Sequence, residues 1–235
     1  MNRVPRTAYN LGTRSFYSHT HPSTPFYTPQ QQDILSRALK HVPEHGFTPE
    51  SLSMAAREAG YLDITHALFP KGAWSIAEYH MVTERERLKG HLPALEEEKG
   101  VGRKIRRLCV ERLKANKDVI GHWQEALALM ALPRNAPGSM AELAKLADEM
   151  WYLTGDPSVD MNWYTKRASL ASVYATTEVY MTQDTSADFA NTWAFLDRRL
   201  GDVQTLGKGV GNVTEYISFT AHSIGNILNS RGMRL

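Results

Sequence analysis

The 235-residue sequence contains a single cysteine, Cys109, and that scarcity excludes an intrachain disulfide framework and a multi-cysteine zinc site. It also lacks an excess of charge of either sign. Lys plus Arg number 27 and Asp plus Glu 25, so the formal charge of +2 offers no whole-chain argument for nucleic acid. No run approaches the roughly 18 consecutive apolar residues that a membrane-spanning helix needs. Sustained alternation of apolar and polar residues between hairpin turns is missing as well, so strands are not expected. Hydrophobic residues at 42% exclude a wholly disordered chain.

Signatures of common chemistry are absent too. No Glu has His three positions later, which removes the metal pattern of helical di-iron proteins. Neither His-Glu-x-x-His nor Gly-x-Ser-x-Gly occurs. Gly207-Lys208-Gly209-Val210-Gly211 suggests a phosphate cradle, but Gly209 stands where a P-loop requires Ser or Thr, and the segment reads as a hinge. Cys109 lies near Arg106, Arg107 and Arg112, which leaves two readings, a stabilised thiolate or a packed core thiol. The expectation is a protein that is not an enzyme and holds no metal and no cofactor.

What is present begins with an unusual N-terminus. Residues 1–32 contain no Asp or Glu, while Arg3, Arg6 and Arg14 are spread among Ser, Thr, Tyr and Pro. This is the composition of a mitochondrial transit peptide or its remnant, the alternative being a polar arm broken by proline. Without an apolar segment it does not read as a secretory signal.

From there the pattern is helical throughout. Apolar spacings of three and four predict helices over 30–42, 49–59, 62–68, 73–88, 105–113, 119–132, 139–155, 163–181, 189–206 and 212–228. Thr48 before Pro49 is an N-cap followed by a first-turn proline. Ser139-Met140-Ala141-Glu142 has the form of a capping box, and Asp160 and Ser186 suit the caps of the next two helices. Pro93, the acidic Glu96 to Glu98 run and Gly100-Val101-Gly102 form the main seam. The resulting division is an arm over 1–29, a helix-turn-helix-like region over 30–92, a helical region over 93–207, and a hinge plus amphipathic helix over 208–235. The fold class is all-α, with about ten helices.

The first three helices, with Gly46-Phe47 between the first two and Phe69-Pro70 after the third, have the layout of a TetR-type helix-turn-helix. A DNA-reading helix needs Lys or Arg for phosphates and Arg, Asn or Gln for base edges. The segment Leu62-Asp63-Ile64-Thr65-His66-Ala67-Leu68 has none of these. The expectation is a degenerate motif with no DNA partner. A TetR-type regulator with a hydrophobic ligand stands as the alternative function. The basic run Arg103-Lys104-Arg106-Arg107 reads either as a contact for anionic lipid or as a solvated face balancing Glu96 to Glu98.

The stretch from Asp148 to Arg167 packs Trp151, Tyr152, Trp163 and Tyr164 around a polar turn. Such a cluster is either a binding hot spot or a buried helix corner. Together with Ala168-Ser169-Leu170, Tyr174-Ala175-Thr176-Thr177-Glu178, Gln183-Asp184 and the Ala128–Pro137 and His41–Thr48 blocks, it resembles the Coq-nine family of ubiquinone biosynthesis. The resemblance runs from about residue 34 to 200. It implies a TetR-like fold without DNA binding, a homodimer, and a peripheral position on the matrix side of the mitochondrial inner membrane. It further implies that the protein binds phospholipids and isoprenoid quinone intermediates in an apolar pocket. It would present them to the demethoxyubiquinone hydroxylase, the di-iron Coq-seven enzyme, within the coenzyme Q biosynthetic complex. Carried onto this chain, the hydroxylase-binding patch comprises Met150, Asp160, Trp163 and Tyr164, and Arg167 lies near a phospholipid headgroup. Lys166 stands where relatives often carry a second Arg.

The last predicted helix carries Val213, Tyr216, Ile217, Ile224, Ile227 and Leu228 on one stripe, interrupted by Thr214, Glu215, Ser218 and Asn226. It is too polar to span a bilayer and suits a membrane interface, or a face covered by its own domain or a dimer partner.

Overall fold

The computed structural model describes residues 27–61, 65–156 and 161–206. Among these the chain is all-α. The N-terminal arm to residue 26, Leu62 to Ile64, Asp160, the 207–211 hinge and the stripe from Val213 to Leu228 lie outside the described residues.

Helix α1 (Pro29–His45) opens on a capping box that the sequence pattern did not single out. Gln31 N–H donates to Thr28 Oγ1, and Thr28 N–H donates to Gln31 Oε1 at 3.0 Å. Pro29 occupies the first turn, where its missing N–H costs nothing. The helix ends at Gly46, whose φ of 70° favours glycine. A Cβ there would also stand 2.2 Å from Glu125 Oε2, the atom that accepts the Phe47 N–H. Helix α2 (Pro49–Glu58) is capped by Thr48 as its sequence implies. The short α3 (Thr65–Leu68) follows, then α4 (Trp74–Arg87). Buried residues occur on every side of α4, from Trp74 and Ile76 to His80 and Arg85, so it runs through the interior.

Helix α5 (Leu92–Glu96) is a single short turn within the predicted seam, preceded by a 3-10 turn at Leu88–His91. Helix α6 (Val101–Lys114) begins after Gly100, at φ 99°. The single helix expected over 119–132 is divided: Lys117–His122 is a 3-10 turn and α7 (Trp123–Ala131) follows. Gly121, a weak helix former, sits in the tighter segment.

Helix α8 (Ala136–Leu153) corrects the capping-box expectation. It starts three residues before Ser139, with Pro137 in the first turn. Ser139 Oγ instead donates to Met130 O and Asn135 O, while Glu142 is drawn to Arg85 of α4. Helix α9 (Met161–Met181) and α10 (Ala190–Leu206) complete the described residues. Ser186 does serve the start of α10, accepting the Asn191 N–H, but Asp184 shares that task by accepting from Thr192 N–H and Oγ1.

Two apolar clusters hold the helices together. One joins Ile34, Leu35, Phe47, Trp74 and Trp123 from α1, α4, α7 and their connections. The other joins Leu108, Leu113, Met150, Val173 and Leu196 from α6, α8, α9 and α10. Ile120 packs against both. Burial of such side chains contributes about 1.5–3 kcal/mol each.

Candidate functional site

Helices α8 and α9 carry two features, separated along α9 by about 18 Å for the twelve residues between Trp163 and Ala175. The first is an aromatic and ionic corner. Arg167 Nε donates to Asp148 Oδ1, and its guanidinium lies 4.0 Å from the Trp163 ring centroid. Trp163 and Tyr164 meet edge to face at 4.7 Å. Lys166 Nζ donates to Asp156 Oδ1 at 2.8 Å and stands 5.3 Å from the Trp151 ring centroid. The Trp151 indole N–H in turn donates to Lys166 O. Such charge and ring contacts favour a rigid surface.

Tyr164 is 67% exposed and Tyr152 47%, so the corner presents aromatic surface to solvent. Trp163 is half-buried beside them. Met150 is brought elsewhere: at 0% exposure it packs in the second core cluster, its sulfur 3.8 Å from Cys109 Sγ. A protein partner would not touch it directly.

The second feature is a cavity of about 250 Å³ with a largely apolar lining. Met130, Met140, Leu143 and Leu146 form much of its wall. Met140 is 66% exposed, which puts the entrance on its side. On the inner side stand Arg112, Tyr174 and Glu178, all buried.

These inner residues form a polar network between the two core clusters. Asn116 Oδ1 accepts from Arg112 Nη1 at 2.8 Å and from His80 Nε2 at 2.9 Å. Asn116 Nδ2 and Tyr174 Oη both donate to Glu178 Oε1, at 2.9 and 3.0 Å. Burial, with the Arg112 charge adding to it, pulls the His80 imidazole down to about 3. The ring is therefore neutral near pH 7, and its proton must sit on Nε2 to satisfy Asn116 Oδ1. Burial also raises the Glu178 carboxyl above its ordinary value, against the pull of Arg112 and its donors.

His80 gives this network a pH signature. Below about pH 6.5 the unfolded chain accepts a proton that the folded chain refuses, so the His80 contribution is present above that pH and lost as pH falls toward 3. Glu178 acts in the opposite sense, since its raised value favours the folded state at low pH. Comparison with His80→Gln separates the two. Between pH 6.5 and 4.5 the native chain should lose about 2–3 kcal/mol relative to that variant, at ~1.4 kcal/mol per pH unit. Urea denaturation followed by circular dichroism measures it, and a pH-independent difference would refute the assignment.

Other sequence readings are decided by position. Cys109 is fully buried and burial pushes its thiol up to about 12, so it is a packed core thiol. In the basic run, Arg107 pairs with Glu98 at 3.4 Å and Arg106 with Asp197, as a charge-balanced face requires. Among the described residues no group of three or more His, Cys, Asp or Glu is placed to hold a metal ion. None of the described helices is long and apolar enough to cross a membrane.

The polar network escaped the sequence reading. Its one local signal is a charged residue on an apolar helix face: Arg112 beside Cys109 and Leu113, and Glu178 one turn after Tyr174.

Comparison with known proteins places this architecture among relatives. The family model described as COQ9 matches residues 136–207, which span α8 to α10. The chain is 33% identical over 226 residues to the Schizosaccharomyces pombe mitochondrial ubiquinone biosynthesis protein coq9, covering 95% of this chain and 89% of that protein. It is 38% identical over 188 residues to the Rattus norvegicus mitochondrial protein COQ9 and 37% over 187 to the Homo sapiens one. Those matches cover 75% of this chain but only 59% and 58% of the rat and human proteins.

Proposed function

The chain belongs to the COQ9 family, and from that premise we propose that it is a lipid-binding accessory protein of ubiquinone biosynthesis in mitochondria. The observation that carries this reading is the apolar cavity between α4, α6, α7, α8 and α9. It suits an apolar molecule far better than a polar metabolite. In this reading the protein is non-catalytic, has no cofactor beyond its bound lipid, and supplies an isoprenoid quinone intermediate to the demethoxyubiquinone hydroxylase.

The aromatic corner supports the partner half of the proposal. The exposed Tyr164 and the half-buried Trp163 brace each other edge to face, and Arg167 lies against the Trp163 ring. Met150 supports the patch from within rather than forming its surface. Asp160 completes the proposed patch. Arg167 also remains the proposed contact for a phospholipid headgroup, which would have to replace Asp148 as its anion. The proposed membrane contact is peripheral, on the matrix side of the inner membrane, through the stripe containing Val213, Tyr216, Ile217, Ile224, Ile227 and Leu228. A homodimer and membership of the coenzyme Q biosynthetic complex are part of the same proposal.

Mass spectrometry of organic extracts from the purified protein tests it. Isoprenoid quinones or phospholipids should be enriched at least tenfold over a control protein purified in parallel. An Ala175→Trp variant, which fills the cavity, should lose them while keeping its helical spectrum. Equal lipid in both proteins and the control would remove the lipid-binding reading.

A further inference from the structure

Three of the nine methionines in the chain, Met81, Met130 and Met140, line the apolar cavity. A thioether suits such a wall because it is flexible, polarizable and only a weak hydrogen-bond acceptor. Solvent reaches these sulfurs unequally. Met140 is 66% exposed at the mouth, whereas Met81 and Met130 are partly buried. Met150 and Met181, in the second apolar cluster, are 0% and 1% exposed. A small dissolved oxidant therefore meets Met140 well before those two.

We propose that Met140 is a site of reversible oxidation to the sulfoxide by hydrogen peroxide, and that this modification closes the cavity to apolar ligands. The inference deepens the lipid-binding reading and rests on it. In the step itself the peroxide O–O bond breaks and an S–O bond forms. The sulfur gives up two electrons, and the peroxide is reduced to water. The product is polar where the thioether was apolar, and its oxygen is a hydrogen-bond acceptor that needs a donor. Helix α8 supplies no such donor to the wall. Its two polar lining residues are Ser139, whose hydroxyl is committed to the Met130 and Asn135 carbonyls, and Glu142, held by Arg85 and Lys145. The sulfoxide must turn to water for its partner, and the wall at the mouth then loses the apolar side chain that an entering ligand packs against.

The test uses the full chain, hydrogen peroxide and the neutral apolar dye N-phenyl-1-naphthylamine. Peptide mass spectrometry should find one added oxygen on Met140 at peroxide doses that leave Met150 and Met181 unmodified. Over the same doses the dye Kd should rise about tenfold, the worth of one buried apolar side chain, in step with the modified fraction of Met140. Met140→Leu should bind the dye like the native chain and keep its affinity after the same treatment. Methionine sulfoxide reductases A and B with dithiothreitol, which takes up the oxygen as water and becomes the disulfide, should restore the oxidised native chain. That restoration is read on the unaltered sequence, so it does not depend on a variant that folds. An unmodified Met140 in an otherwise oxidised chain, or full modification with an unchanged Kd, overturns the proposal while leaving lipid binding intact. Equal loss in Met140→Leu, or no recovery after the reductases, overturns it as well. Dye binding by the unoxidised chain that survives Ala175→Trp puts the ligand elsewhere and overturns both readings.

Discussion

Arg85→Ala should destabilise the protein by about 3–5 kcal/mol, a large share of the stability of a chain this size. Arg85 projects from the interior helix α4, and its Nε donates to Glu142 Oε1 of α8. Its Nη1 donates to Glu86 at 2.7 Å. Both members of the α4–α8 pair are nearly inaccessible to solvent. Removing the guanidinium leaves the buried Glu142 carboxylate with the partly exposed Lys145, 3.5 Å away, as an ion-pair partner. The cost is that of an uncompensated charge rather than the net worth of the pair, and the two quantities can be separated. The double replacement Arg85→Met with Glu142→Leu should recover most of the loss, because apolar side chains of similar size replace buried ions at little cost. Urea denaturation of the four proteins in the cycle measures both. A single-variant loss below about 1 kcal/mol would show that water or Lys145 relieves the carboxylate. Because Glu142 also lines the cavity, Arg85→Ala should weaken binding of apolar ligands as well.

The second large effect concerns association. Tyr164→Ala should leave stability within about 0.5 kcal/mol, as expected at a surface position. It should weaken binding of the hydroxylase proposed as its partner by about 2 kcal/mol or more, roughly thirtyfold. Trp163→Ala should have a similar effect on binding but a greater one on stability, because its ring carries the Arg167 guanidinium and meets Tyr164 edge to face. Calorimetric titration of the purified pair provides the number, and thermal unfolding of each variant controls for folding. Unchanged affinity in both variants would move the partner surface away from this corner. Unfolding of Tyr164→Ala would contradict its 67% exposure and return the pair to a structural role.

The positions of most helices are legible in the sequence because helix formation is local. Spacings of three and four bring Ile34, Leu35, Ala38 and Val42 onto one face of α1, and all four are buried. Thr48 and Pro49 start α2 through contacts within one turn. The ends expected for α4, α9 and α10 lie within two residues of those observed, for the same reason. The aromatic corner was likewise visible, since its rings sit within sixteen residues of one another along the chain. Local pattern could not tell which of those residues face out. Met150 and Tyr164 belong to the same motif, yet one is inside and the other 67% exposed, because Met150 packs against Cys109 of α6 within the second apolar cluster while Tyr164 lies on the open face of α9.

Tertiary structure alone decided the rest. The Ser139–Glu142 box looked complete by spacing, but Arg85, 57 residues from Glu142, offers its carboxylate a charged partner that a backbone N–H cannot match. The polar side of the cavity joins residues separated by 36 positions, His80 to Asn116, and by 62, Asn116 to Glu178. No periodicity encodes such pairings. They arise when α4, α6 and α9 pack, and the buried Arg112 and Glu178 then take whatever donors and acceptors the neighbouring helices present.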